Sequence, residues 1–226
     1  MKNIKLIFGL ILLLITMGCE KPTNLPLCMD TEGNEYKTVQ IGDQIWMAEN
    51  LRSRYLNDGT PIPENRNMWT LSKPYYCFVN NNTKSREIFY NWHVVNTDKI
   101  CPIGWHVPND NEWKELELHI GMNKEQVNTY AWRGIDEASK LKATYSWSWG
   151  KNGTDDYGFT AIATGYKYAS TGYFERLGEQ TEFWATNEDE NNIYAMRRSI
   201  TAYDTRIYRG YTYKNNGCSI RCIKNN

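Results

Sequence analysis

The segment from Cys101 to Gly121 constrains this chain most, because it joins a rigid turn to a helix whose start, buried face and end can each be read from residue type. Cys101-Pro102-Ile103-Gly104-Trp105-His106-Val107-Pro108 concentrates prolines, a glycine and a tryptophan in one short stretch. Asn109 followed three residues later by Glu112 has the form of a capping box, in which each side chain satisfies the other's backbone N–H. Trp113, Leu116 and Ile120 then recur at i, i+3 and i+7 before Gly121, a suitable stop. The pattern predicts a helix between Asn109 and Gly121 with one face buried.

Other elements follow from shorter-range signals. Tyr36–Ile41 and Gln44–Met47 are β-rich runs separated by Gly42-Asp43, which suits a type II′ hairpin because glycine accepts a positive φ at the first turn position. From Asn57 to Asn82 the chain is rich in Asn, Pro and Gly and reads as loop, broken by a strand at Tyr75–Val79. Arg86–Val95 reads as a short helix or turn, and Lys124–Leu141 as a second helical stretch interrupted near Gly134. After Thr144 the texture becomes alternating, with Tyr145, Trp147 and Trp149 on one side, then Tyr166 and Tyr168, and later Tyr211 and Tyr213, which reads as sheet. The chain holds 9 Trp, 16 Tyr and 6 Phe, a bias that favours a strand-rich domain with rings in its core and some left at the surface.

The first residues set the compartment. Lys2 and Lys5 precede an apolar run from Leu6 to Ile15, the form of an export signal, and that run is shorter than the roughly 20 residues needed to cross a bilayer as a helix. Ile15-Thr16-Met17-Gly18-Cys19 resembles a lipobox, so residues 1–19 read as a lipoprotein signal ending at a lipidated Cys19; the alternative is an ordinary cleaved signal that discards Cys19. Several acyl chains on Cys19 would anchor the chain to a membrane without crossing it. Residues 20–27 read as a short extended tether and residues 28–226 as one domain. Lys plus Arg and Asp plus Glu both number 26, so no general basic field recruits nucleic acid. In an exported chain the cysteines point to disulfides. Cys218 and Cys222, four apart in an apparent strand, lie about 13 Å apart, beyond the roughly 7 Å a bridge allows, so they need different partners.

The Cys101–Trp113 segment, together with Asp30–Val39, Trp46–Leu51, Tyr90-Asn91-Trp92, Gly158–Ala161, Phe183–Thr186 and Ser219-Ile220-Arg221-Cys222, resembles the Fibrobacter succinogenes major paralogous domain family, common in lipoproteins of the Bacteroidetes. The resemblance covers about residues 30 to 224. It implies an α+β, C-type-lectin-like fold: a twisted, mainly antiparallel sheet, one or two helices, adjacent N- and C-terminal strands and long loops. Trp46, Trp105, Trp113, Phe159, Trp184 and Ile220 are expected in the core. It also implies an outer-membrane or cell-surface location and a disulfide from Cys101 to Cys222. Cys218 stands where the family usually carries an aromatic; with the terminal strands side by side, Cys28 is its expected partner, leaving Cys77 free, and a Cys77–Cys218 bridge is the competing assignment. No biochemical activity is generally established for the family.

Candidate chemistry is sparse. His93, His106 and His119 match no compact ligand spacing and read as structural, and no nucleophile elbow, phosphate loop or zinc-protease motif is present. Formylglycine-generating oxidases use a C-type-lectin-like scaffold with a reactive cysteine, which draws attention to Cys218 and Cys222, but fold similarity does not transfer chemistry. The loop Asn187–Asn192 offers hard oxygen ligands in Asn187, Asp189 and Glu190 for a possible Ca²⁺, set against its reading as a solvated hairpin tip; Asp155 and Asp156 carry the same ambiguity. No other cofactor is expected. Trp147, Trp149, Tyr168, Tyr173 and Tyr213, near polar loops, are the candidates to stack on a sugar. The expectation is a surface-anchored, non-catalytic recognition or adhesion module for a glycan or an envelope protein, with a purely structural envelope subunit as the alternative. Mass spectrometry of the native protein is expected to find the mature chain starting at an acylated Cys19; an N-terminus beyond Cys19 contradicts the anchor.

Overall fold

The computed structural model describes residues 25–67 and 72–226; the leader, Cys19 and residues 20–24 of the tether lie outside the described residues. A first hairpin pairs β1 (Cys28–Met29) with β2 (Glu35–Tyr36). A second pairs β3 (Thr38–Ile41) with β4 (Gln44–Met47). At its turn Gly42 takes a φ of +62° while Asp43 keeps a negative φ, the pattern of the type II′ loop read from the sequence. Then come β5 (Tyr76–Phe78) and β6 (Ile88–Tyr90), paired antiparallel, the single-turn helix α1 (Trp92–Val95) and β7 (Trp105–His106).

Helix α2 (Asp110–His119) starts at Asn109, whose side chain accepts from the N–H groups of Asn111 and Glu112 while Glu112 accepts from the N–H of Asn109. The capping box is present as the spacing required. Gly121 ends the helix at φ +127°. Helix α3 (Lys124–Asn128), strand β8 (Ala131–Arg133) and helix α4 (Glu137–Leu141) follow. Gly134 does interrupt this stretch, but residues 131–133 pair with a neighbouring strand instead of continuing a helix. The remaining strands are β9 (Tyr166–Lys167), β10 (Phe174–Glu175), β11 (Gln180–Glu188), β12 (Tyr194–Thr201), β13 (Ile207–Tyr213) and β14 (Ile223–Lys224). Among the described residues no helix is long and apolar enough to cross a membrane.

The class is mixed α+β with antiparallel strand pairing. In place of one sheet, the described residues form two four-stranded sheets, β11-β12-β13-β8 and β3-β4-β14-β7, and three two-stranded ones. The alternation of Tyr145, Trp147 and Trp149 does not make a strand: Ser148–Gly150 is a 3₁₀ turn, Trp149 sits at φ +56°, and the three rings part company.

The sheet β11-β12-β13-β8 is buried on both sides around β11. Phe183 faces the helix side, packing near Trp113, Leu116, Met196, Ile200 and Ile207, while its neighbour Trp184 faces the opposite cluster of Tyr90, Trp92, Cys218 and Ile220. Period-two alternation thus feeds two cores from one strand. Trp46, Trp105, Trp113, Phe159, Trp184 and Ile220 are all buried, as expected from the sequence.

The C-terminal segment runs through the middle. Gly217, Cys218 and Ser219 make bridges to Lys167, Tyr90 and Phe183 in turn, Ile220 and Cys222 offer carbonyls to the N–H groups of Leu51 and Met47, and β14 then lies between β4 and β7. Residues 218–222 read as a strand, but beyond the isolated bridges of Cys218 and Ser219 no strand is assigned there, and the segment contacts a different element at nearly every step. Cys222 is bridged to Cys101, with Cα atoms 6.0 Å apart and a sequence separation of 121, a closure that stabilises the fold by roughly 4 to 5 kcal/mol in the chain-entropy model. The expected Cys28–Cys218 bridge is absent, as is the alternative from Cys77: all three are buried free thiols. The premise of adjacent terminal strands holds for β4 and β14 but not for β1, whose Cys28 lies opposite Tyr36 in its own hairpin while Cys218 lies opposite Tyr90.

Helix α2 is fixed to the sheet by charge as well as by apolar packing. Glu117, fully buried, accepts from Arg133 Nη2 at 2.5 Å and Arg198 Nε at 2.6 Å. On the same helix Asp110 meets Arg209 Nη2 at 2.7 Å, Arg198 Nη2 at 2.9 Å and Lys114 Nζ at 3.1 Å. Burial pushes the Asp110 carboxyl upward, but the surrounding Arg209, Arg198 and Lys114 cations outweigh it and hold its pKa well below the ordinary aspartate range. A carboxylate held lower in the folded chain than its unfolded value of about 3.9 stabilises the fold above that pH, and the contribution drains away as pH falls toward the folded value. Asp110→Asn is expected to cost about 3 kcal/mol at pH 7 by stranding buried guanidinium charge, with the gap to wild type narrowing below pH 4 in urea titrations. A gap that stays constant from pH 7 to pH 2.5 contradicts this assignment.

Candidate functional site

One concavity gathers two of the predicted aromatics. Its volume is about 620 Å³, within the range usual for small-ligand sites. One wall is the loop after β9, where the Tyr168 N–H donates to the carbonyl of Tyr173 at 2.9 Å and Tyr168 stands partly exposed. A second wall is the end of β13, where Tyr213 is 48% exposed and braced by Tyr194 at 4.7 Å between ring centroids. The turn between β11 and β12 adds Asn192 and Ile193.

Asn216 holds these walls together. Its Oδ1 accepts from the Ala169 N–H at 3.0 Å and its Nδ2 donates to Thr212 Oγ1 at 2.8 Å, tying the 168–170 loop to β13. Asn215 Oδ1 lies 3.0 Å from His93 Nε2, contributed by α1. Burial is the largest influence on His93 and lowers its pKa against the opposing bond to Asn215; the imidazole is therefore neutral at pH 7 and carries its proton on Nε2 to donate to that oxygen. Lys214 is the one cation among the lining residues; its ammonium is spent on the Glu188 carboxylate and lies 4.4 Å over the Trp92 ring. The cavity therefore offers rings, amides and hydroxyls without a free charge, a surface suited to a neutral polyhydroxylated ligand.

The other predicted contacts fall elsewhere. Tyr173, on the same hairpin as Tyr168, is 69% exposed but does not line the cavity. Trp149 is exposed and packs on Tyr203, with centroids 5.2 Å apart. Trp147 is a correction: it is buried, its Nε1 donates to the Ala161 carbonyl at 3.0 Å, and Lys142 covers its ring, so it is core. Asn215 and Asn216 were not picked out by sequence reasoning, which read His93 as structural and took Asn192 only as part of the acidic loop. The only signal was the Asn215-Asn216 pair directly after the alternating tyrosines, and Asn pairs more commonly mark turns.

The calcium candidates are also committed to other work. Asn187 Oδ1 accepts from the Asp110 N–H at 2.6 Å, serving the start of α2, and β11 reaches it through a register shift after Trp184. Asp189 Oδ1 accepts from the N–H groups of Ile193 and Tyr194 at 2.9 and 2.7 Å, so it closes its own hairpin turn, and Glu190 is exposed at the tip. Asp155 likewise accepts from the Thr160 N–H at 2.7 Å and from its hydroxyl at 2.8 Å. Among the described residues no group of three or more His, Cys, Asp or Glu side chains is arranged to hold a metal ion.

The free thiols are poor nucleophiles. Burial, followed by the nearby Glu182 carboxylate, pushes the Cys218 thiol far above its ordinary pKa, with its Sγ 3.5 Å from Glu182 Oε2. Burial pushes Cys28 and Cys77 up to about 12. The thiolate is the reactive form, so all three are chemically quiet at neutral pH.

The architecture defines a mixed α+β domain of antiparallel sheets, closed by one disulfide and carrying a tyrosine- and amide-lined pocket. The Fibrobacter succinogenes major domain matches residues 39–224, and the chain belongs to that family. No curated protein and no solved structure matches it.

Proposed function

We propose that this protein is an exported, lipid-anchored, non-catalytic recognition module at the outer membrane or cell surface, with a C-type-lectin-like arrangement, and that its ligand is a glycan or a glycan-bearing envelope protein. The observation that carries the reading is the convergence of Tyr168 and Tyr213 with Asn192, Asn215 and His93 around one cavity whose single lining cation, Lys214, is paired with Glu188. Rings stack on the apolar faces of sugars while amides bond hydroxyls. The lectin-like part of the proposal is supported by β14 lying against β4 and by the long irregular stretches between strands. The export part rests on the leader and Cys19, and the non-catalytic part on the buried, protonated thiols.

The full chain in non-ionic detergent, applied to arrays of plant, host and bacterial glycans with and without Ca²⁺, is expected to bind a neutral glycan saturably. Tyr168→Ala and Tyr213→Ala should each weaken that binding about five- to tenfold, the loss of one ring contact. Saturable binding that is indifferent to both substitutions overturns the pocket, and no binding to any glycan favours a structural envelope subunit.

A further inference from the structure

A second cavity, of about 200 Å³, shares no lining residue with the tyrosine pocket and has a different chemistry. Arg221 contributes to its wall from the buried C-terminal segment. A guanidinium has five N–H donors. Here Nε serves Asn50 Oδ1 at 2.7 Å, Nη1 serves the carbonyls of Met47 and Phe159 at 3.1 and 2.5 Å, and Nη2 serves the Thr160 carbonyl at 2.9 Å. Among the described residues one Nη2 N–H is left over. Asn50 passes the arrangement on, donating to Glu87 Oε2 at 2.7 Å, while Glu87 Oε1 accepts no bond among the described residues. Among the described residues the lining thus keeps one donor and one acceptor without a partner, linked through a single amide.

The mouth is basic. Lys37 and Arg86 are exposed, and among the described residues neither side chain has an ion-pair or hydrogen-bond partner. Arg52 also lines the cleft, oriented by Glu49 at 3.4 Å, by the Glu35 carbonyl at 2.6 Å and by the face of Tyr36. Lys37, Arg52, Arg86 and Arg221 stand against Glu49 and Glu87. Burial, the largest influence, raises the Glu87 pKa against the opposing bond from Asn50. At the rim, Tyr145 leaves 58% of its surface open. The volume matches about seven waters at ~30 Å³ each, room for a single small ring.

We propose that this cleft binds one carboxylated sugar residue of the hexuronate class, its carboxylate against Arg86 and Lys37, its ring beside Tyr145, and hydroxyls reaching the free N–H of Arg221 and the free oxygen of Glu87. The cations set the charge of the ligand, whereas the donor–acceptor pair and the ring distinguish a sugar acid from a bare carboxylate. The site is separate from the neutral-glycan pocket, and the two readings stand or fall apart.

The test is calorimetric titration of the full chain in non-ionic detergent with D-glucuronate, D-glucose and acetate, each alone, at low salt. Glucuronate is expected to bind at least tenfold more tightly than either comparator. The exposed pair Lys37→Glu with Arg86→Glu should weaken glucuronate at least tenfold, while Lys37→Arg with Arg86→Lys retains it. Absent saturable glucuronate binding, or binding unchanged in the charge-reversed pair, overturns the site. Acetate binding as tightly as glucuronate overturns its assignment to a sugar.

Discussion

The rest of the structure depends on burying one charged side chain, Arg221, within a C-terminal segment that bridges β9, β6 and β11 and ends between β4 and β7. Its guanidinium has no carboxylate in direct contact; the carbonyls of Met47, Phe159 and Thr160 and the amide of Asn50 surround it, and the rings of Phe159 and Phe183 lie 4.7 and 5.5 Å from its centre. Burial, the largest influence, lowers its pKa to about 10, so it remains charged at neutral pH. Hydrogen bonds to a charged group contribute on the order of 1.5 to 3 kcal/mol each, and the same group left unpartnered is strongly destabilising. Arg221 therefore ties the end of β4, the Phe159-Thr160 turn and the final strand into one arrangement, and the Cys101–Cys222 bridge next to it secures the turn before β7.

The second polar knot, between α2 and the sheet, works by complementary means. Arg133, Arg198 and Arg209 come from three adjacent strands, and Asp110 and Glu117 lie on the helix face turned to them. Apolar packing of Trp113, Leu116 and Ile120 would allow the helix to slide or rotate a little. Paired charges in a dry interior do not, because a shift leaves a cation or carboxylate without its partner. The chain thus combines an aromatic core with polar contacts that fix its register, and both pockets sit on loops that this frame positions.

Much of this was legible because it was local. The capping box at Asn109 and Glu112, the Gly42-Asp43 turn and the burial of Trp113 follow from spacing and residue type, and the burial of Trp46 and Trp184 and the Cys101–Cys222 bridge followed from resemblance to the family. What failed was information carried by distant contacts. Trp147 alternates with Tyr145 and Trp149 in sequence, yet a 3₁₀ turn with Trp149 at positive φ sends Trp147 into the core and leaves its neighbours outside. Residues 131–133 look helical between two helices, but β13 offers an open edge that captures them. Cys28 and Cys218 share a core cluster without facing one another. Tyr168 and Tyr213 could be named as candidates, but it takes Asn216, holding Ala169 and Thr212 together, and the Lys167–Gly217 bridge to make them walls of one pocket.

Native-state hydrogen exchange tests the central claim most directly. The amides of Cys218 and Ser219, which donate to the carbonyls of Tyr90 and Glu182, belong to the segment on which both cores close. They are predicted to exchange only through global unfolding, with the same free energy and denaturant dependence as the amides of β12. Exchange of Cys218 and Ser219 through a lower-energy local opening while β12 stays protected would show that the C-terminal segment is a peripheral strap, and would contradict the account.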